Sequence, residues 1–233
     1  MNHSEQIQLQ NFDNLEQQSQ HLADVVAQIL QTQVSKNGLA SIAVSGGSTP
    51  KRLFELLSNM DLEWTKVTIT LVDDRWLANN QADSNQQLVE KNLLQNHAAN
   101  ARFIPLYQEG LSAFEASDKV NASFENIKQP FDVVLLGMGN DGHTASLFPC
   151  SEQISEGLST RATYLATQPT TAPYERISLS AHAIEAAGHL FLQLAGADKQ
   201  VTLSKALKEG DDLEMPIRRF LTNNITVLWC PKE

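Results

Sequence analysis

The chain has 233 residues, 42% of them hydrophobic and 19% charged, with a formal net charge of −10. That length fits one large α/β domain and is enough to bury a substantial core. The acidic balance argues against a general nucleic-acid or anionic-membrane surface, because both need clustered Lys and Arg, yet a small anionic substrate needs only a few converging cations. The polar start, MNHSEQIQLQNFDNLEQQ, has no cationic segment leading into an apolar one, so no signal peptide is expected. No apolar run approaches the roughly 18 residues of a membrane span. A soluble, cytoplasmic protein is expected. Cys150 and Cys230 lie far apart without a C-x-x-C, so neither a disulfide framework nor a zinc site is indicated.

In chain order, Leu22, Val25, Val26, Ile29 and Leu30 recur at helical spacing, which predicts a helix over about 15–34 stopped by Asn37-Gly38. LASIAV (39–44) reads as a short buried strand. TPKRLFELLSNM reads as a helix, with Pro50 near its first turn, where a missing N–H costs little. KVTITLV (66–72) is β-branched and strand-like. A helix over 84–97 opens at a good capping residue, Ser84. Another covers about 111–127, and FDVVLLG (131–137) is the next strand. ERISLS and HLFLQLAG are further strand candidates, ADKQVTLSKALKEG is a helix stopped by Gly210, and ITVLWC is the last strand. Residues 150–176 are the most loop-like region. Strands alternating with helices, several of them apolar on both faces, predict a single-domain α/β fold with a mainly parallel, Rossmann-like sheet and helices on both faces.

FDVVLLGMGNDGH contains a literal G-x-G-x-x-G at Gly137, Gly139 and Gly142. A dinucleotide turn needs those glycines to open a full crossover helix. Only HTASLF separates Gly142 from Pro149, and proline inside a helix breaks it. A Walker-A loop is absent from the sequence. VSGGSTP (44–50) is the stronger glycine loop, lying between a strand and a helix. Gly46 and Gly47 permit unusual backbone geometry, Ser45, Ser48 and Thr49 add hydroxyls, and the N–H groups of the helix start favour phosphate. A plain turn capped by Ser48 or Thr49 would account for the same residues. Lys51 and Arg52 sit near the positive helix end and read as solvated surface.

LVDDRWL places Asp73, Asp74 and Arg75 directly after a strand, at the carboxyl edge where ligands of open α/β sheets sit. By themselves they would be read as a structural ion pair. The loops after Val44, Val72 and Leu136 are expected on one edge, which brings the cradle, Arg75 and His143 together. His143 follows Asp141 on a glycine-rich backbone, and an imidazole titrating near 6.5 in isolation suits a general base. The other histidines, His3, His21, His97, His182 and His189, carry the ordinary structural reading. Serine-hydrolase chemistry is disfavoured because the loop lacks G-x-S-x-G. A dedicated metal site is not suggested, since H-E-x-x-H is absent.

SGGSTP, VDDRW with Ser84-Asn85, GMGNDGHTASLFP, ERISLS and GADK follow one another over nearly the whole chain. Together they resemble the 6-phosphogluconolactonases of the oxidative pentose phosphate pathway, which share a fold group with the glucosamine-6-phosphate deaminases. The deaminases continue after the histidine with a run containing a glutamate. Here the run is Ala145-Ser146-Leu147-Phe148-Pro149, without an acid. The resemblance implies hydrolysis of 6-phospho-D-glucono-1,5-lactone, with His143 as general base, Asp141 organising the base and its loop, and Arg75 steadying the developing oxyanion. It implies that Ser45, Gly46, Gly47, Ser48, Thr49, Arg176 and Lys199 hold the 6-phosphate. Without it, Arg176 and Lys199 would pass as surface cations. Asp74 stands where many members have glutamate, counts among the substrate-binding residues, and is expected to shorten a contact to Arg75. Cys150 follows LFP where glycine is common. No cofactor is called for. The expected partner is a small sugar-phosphate lactone, with no nucleic acid and no membrane, and the chain is expected as a monomer or small homo-oligomer. A deaminase-type enzyme and a non-catalytic sugar-phosphate sensor stand as the rival readings.

Overall fold

A computed structural model describes residues 7–232, so His3 lies outside the described residues. Ten strands and seven α-helices follow one another as β1 (Gln8–Asn11), α1 (Leu15–Asn37), β2 (Ala40–Val44), α2 (Lys51–Ser58), β3 (Val67–Leu71), β4 (Asp73–Arg75), α3 (Asn85–Asn92), β5 (Arg102–Ile104), α4 (Ala113–Ser123), β6 (Val133–Leu136), α5 (Ile154–Ser159), β7 (Tyr164–Thr167), β8 (Arg176–Leu179), α6 (Ala181–Glu185), β9 (His189–Ala195), α7 (Ala197–Ala206) and β10 (Ile225–Cys230). Seven strands form one sheet in the order β1-β10-β9-β6-β2-β3-β5, and every pairing in it is parallel. The expected parallel sheet is therefore present. β4, β8 and β7 form a second, antiparallel sheet that the sequence reading did not anticipate.

Local chemistry explains the main elements. Asn14 caps α1 by accepting from the Gln17 N–H at 2.9 Å. Gly38 ends it at φ 79, in the left-handed region that glycine enters without penalty, with its N–H bonded to Val34 O. Leu22, Val26, Leu30 and Val34 are buried from that helix. β2 and β6 are buried at every position, as strands covered on both faces must be. Three segments differ from expectation. The helix expected over 84–97 stops at Asn92, and a separate 3-10 turn covers Asn96–Asn100, opening at Asn96 with φ 49. The helix expected to run to Gly210 ends at Ala206. The region read as loop, 150–176, holds α5 and β7.

The polypeptide crosses from the parallel sheet to the small one at Val72. Its N–H binds Val44 O in the first sheet, and its carbonyl accepts from Leu179 N beside the second. Tyr164 of β7 is fully buried and donates its hydroxyl to Leu71 O at 2.7 Å. Its ring packs on Phe124, which meets Phe131 edge-on, so both sheets share one core. This crossing carries Asp73 and Arg75 to the carboxyl edge of β2 and β6.

Candidate active site

At that edge lies a cavity of about 290 Å³, near the lower end of the small-molecule range of about 300–1,000 Å³. β2 and β6 are neighbours, and the chain order reverses between them, so the loops leaving them open a crevice. The loop Ser45–Thr49, Arg75, His143, Arg176 and Lys199 all line the cavity. The convergence expected from the sequence is what the fold builds.

The Ser45–Pro50 loop stands close to its neighbours. Asn85 lies so near Gly46 that an added Cβ would sit 1.8 Å from its Oδ1, so only glycine fits there. Asn85 Nδ2 donates to Asp73 O at 2.9 Å, which ties the start of α3 to β4 beside the loop. Gly47 adopts φ 97. No side chain caps α2: the cap position is Pro50, and neither Ser48 nor Thr49 bonds the helix start. The capped-turn alternative therefore lacks its hydrogen bond, and the positive end of α2 faces the cavity. Ser45 Oγ is buried without a hydrogen-bond partner among the described residues. Arg52 is turned away, paired with Glu16 and Glu55.

After β6 the chain makes a tight turn instead of a helix. Gly142 N–H binds Gly139 O at 3.1 Å, and Gly139 N–H binds His143 O at 2.9 Å. No helix follows before Ile154, which removes the element that a dinucleotide site requires. Gly139 makes room for the base: a Cβ there would lie 2.2 Å from the His143 ring and 2.6 Å from Asp141 Oδ1. Asp141 Oδ1 accepts from the His143 backbone N–H at 3.1 Å and meets ring Nδ1 at 2.6 Å. In the neutral form of the ring, a carboxylate at this distance places the proton on Nδ1 and leaves the Nε2 lone pair free. Partial burial would raise the Asp141 pKa, but its hydrogen bonds to His143, and the charge of that ring when protonated, bring it below the ordinary carboxylate value. Phe148 stacks on the imidazole at 3.9 Å between centroids.

Arg75 and Arg176 face each other directly across β4 and β8. Like charges opposite one another destabilise a sheet, and neither guanidinium has a carboxylate within ion-pair distance among the described residues. Arg75 Nη1 donates to Asp83 O at 2.5 Å. Arg176 is only 6% exposed, and its Nε has no hydrogen-bond partner among the described residues. Burial lowers its pKa, with Asp73 raising it and Arg75 lowering it further. Its Cζ sits 4.9 Å from the Phe148 centroid. Lys199, in the first turn of α7, donates to Asn140 Oδ1 at 2.5 Å. Three cations with little internal compensation suit a multiply charged anion.

Asp74 departs from its expected role. It is 2% exposed and does not line the cavity. Its carboxylate accepts from the backbone N–H groups of Arg75, Asn85 and Gln86 and from Ser84 Oγ, so it anchors the start of α3 to β4. Its contact to Arg75 is to the main chain, not to the guanidinium. Burial pushes its pKa up to about 6, against the lowering effect of those N–H bonds. Asp73 lines the cavity in its place, with Oδ2 accepting from Ser146 Oγ at 2.5 Å. The signal was the two-residue period of a strand, which separates Asp73 and Arg75 from Asp74. Asn85 and Gln193 also line the site and were not singled out as site residues by sequence reasoning.

A family model described as "Glucosamine-6-phosphate isomerases/6-phosphogluconolactonase" matches residues 13–229. The chain belongs to this family. It is 40% identical over 225 residues to a 6-phosphogluconolactonase of Rhizobium meliloti, covering 94% of this chain and 97% of that one. A 6-phosphogluconolactonase of Pseudomonas aeruginosa is 38% identical, over 96% of this chain and 94% of its own. The crystal structure of a 6-phosphogluconolactonase from Shewanella baltica superposes with a TM-score of 0.95 at 43% identity, covering 96% of this chain and 97% of that one. A monomeric glucosamine-6-phosphate deaminase shares the fold alone, with a TM-score of 0.80 at 16% identity. No helix among the described residues is long and apolar enough to cross a membrane.

Proposed function

We propose that the chain hydrolyses 6-phospho-D-glucono-1,5-lactone to 6-phospho-D-gluconate, within the oxidative pentose phosphate pathway. The observation that carries this reading is His143, with Nδ1 engaged by Asp141 and Nε2 free, in the same cavity as a glycine cradle and three cations. The relatives named 6-phosphogluconolactonase, near 40% identity over almost the full chain, support it. The Ser45–Thr49 loop, Arg176 and Lys199 hold the 6-phosphate, and Arg75 faces the lactone. His143 Nε2 takes a proton from water as the water oxygen bonds to C1, and the carbonyl electrons move onto oxygen beside Arg75. Collapse of this tetrahedral species breaks the bond from C1 to the ring oxygen, which receives the proton from His143. A base of this kind contributes about 10²–10⁴ in rate, and an oxyanion donor about 10²–10³. An ester needs no more than activated water and an oxyanion partner, so no cofactor enters. The same reading has the chain acting in the cytoplasm on a small molecule, without nucleic acid or membrane, as a monomer or small homo-oligomer.

The deaminase reading is disfavoured because no acid follows His143 between Thr144 and Pro149. Two assays on the purified chain separate the alternatives. Loss of 6-phosphogluconolactone faster than its spontaneous hydrolysis is expected, with no ammonia from glucosamine 6-phosphate. Ammonia release without lactone hydrolysis would reverse the assignment, and neither activity would favour the sensor.

A further inference from the structure

β9 is apolar from Leu190 to Ala195 except at Gln193, which lies one residue beyond the last β6–β9 pair, Leu136 with Leu192. Gln193 lines the cavity, yet only 6% of its surface is exposed. Its amide is oriented by a short chain of bonds. Gln18 of α1, fully buried, donates from Nε2 to the Leu194 carbonyl at 2.9 Å, and a carbonyl can only accept. That requirement turns Gln18 Oε1 toward Gln193, whose Nε2 donates to it at 3.0 Å. Neither amide can be reversed without setting two acceptors or two donors against each other. The relay leaves Gln193 Oε1 as an acceptor, buried and without a partner among the described residues. An unpaired buried acceptor is costly, and a leucine would serve the strand as well at this position. The oxygen therefore awaits a donor.

A phosphate group or a lactone carbonyl offers only acceptors and cannot be that donor. A sugar hydroxyl can. We propose that Gln193 is a specificity-determining residue of this site, its Oε1 accepting a hydrogen bond from a ring hydroxyl of the sugar lactone. Gln18 acts through it as a positioning residue. The inference rests on the lactonase reading and goes beyond it by assigning the group that senses hydroxylation of the ring.

The test compares kcat/KM for 6-phosphogluconolactone with that for its 2-deoxy, 3-deoxy and 4-deoxy counterparts, each normalised to its spontaneous hydrolysis rate. A site built around a substrate hydroxyl rejects the analogue lacking it. The wild-type chain is expected to lose at least about tenfold on one of the three analogues. Gln193→Met should lose a similar factor on the parent lactone and little on that analogue, so the discrimination collapses. Gln18→Met, which frees the Gln193 amide to turn, should lower the discrimination in part. An active wild type that is indifferent to all three analogues overturns the assignment, and this result needs no variant to fold. So does a Gln193→Met protein that loses equally on all four substrates, or that keeps the wild-type discrimination. A wild-type chain without lactonase activity removes the functional reading, and this inference with it.

Discussion

At His143 the chemistry depends on an atom that is absent. The imidazole rests where the Cβ of residue 139 would be, and Asp141 reaches its Nδ1 only because the backbone there is bare. Gly139 does not adopt a positive φ, so alanine is tolerated by the backbone and intrudes only on the ring and the Asp141 carboxylate. Gly139→Ala should therefore keep the fold, with a melting temperature within a few degrees of wild type, while kcat falls by up to the roughly 10²–10⁴ that a positioned base supplies. An unchanged kcat would mean that the ring does not act from this position. The glycines of this turn were legible in the sequence, but their purpose was not. G-x-G-x-x-G suggests a phosphate turn, whereas only coordinates reveal which neighbour fills the space a side chain would need. Asp73 was missed for a related reason, since two adjacent aspartates look alike until the strand direction assigns one to the cavity and one to the interior.

Among the elements, the long helices and the buried strands were readable because their patterns extend over many residues, as with Leu22 to Val34 in α1. β4 and β5 have three residues each, too few for a period to register, and β1 is a polar edge strand, QLQN, with no apolar face to reveal it. The second sheet was illegible because β4 pairs with a segment about a hundred residues away, as in Asp74 with Ile177, and because β7, which pairs locally with β8, lies in the stretch read as loop. Asp74 anchors the start of α3 to β4, and its titration gives a test. Burial raises its pKa from 3.8 to about 6 on folding, so the folded chain binds that proton more tightly than the unfolded one. The stability linked to it is complete below about pH 4 and is lost as pH rises through 6. Asp74→Asn removes an acceptor for backbone N–H groups and should cost roughly 1–3 kcal/mol. The advantage of wild type over this variant, measured by denaturant unfolding from pH 4 to 7, should narrow as pH rises. A gap independent of pH would show that Asp74 does not titrate in this window.

For the molecule as a whole, a net charge of −10 surrounds a cavity carrying Arg75, Arg176 and Lys199. Composition excluded polyanion surfaces and was silent about this local reversal, because three cations distant in sequence barely alter the sum. Binding of the anionic product, which carries a phosphate and a carboxylate, should stabilise the folded chain, by about 2.7 kcal/mol at a hundred times its Kd. 6-Phosphogluconate is accordingly expected to raise the melting temperature, and the rise should shrink in Arg176→Met. An equal rise in that variant would remove Arg176 from the anion site. The proposal itself meets its most direct test in the disappearance of 6-phosphogluconolactone, followed against spontaneous opening, for wild type and His143→Ala side by side. The expected result is strong excess hydrolysis by the wild type and a loss of about 10²–10⁴ of it in the variant. Equal rates in the two proteins would contradict the assignment of His143 as the base.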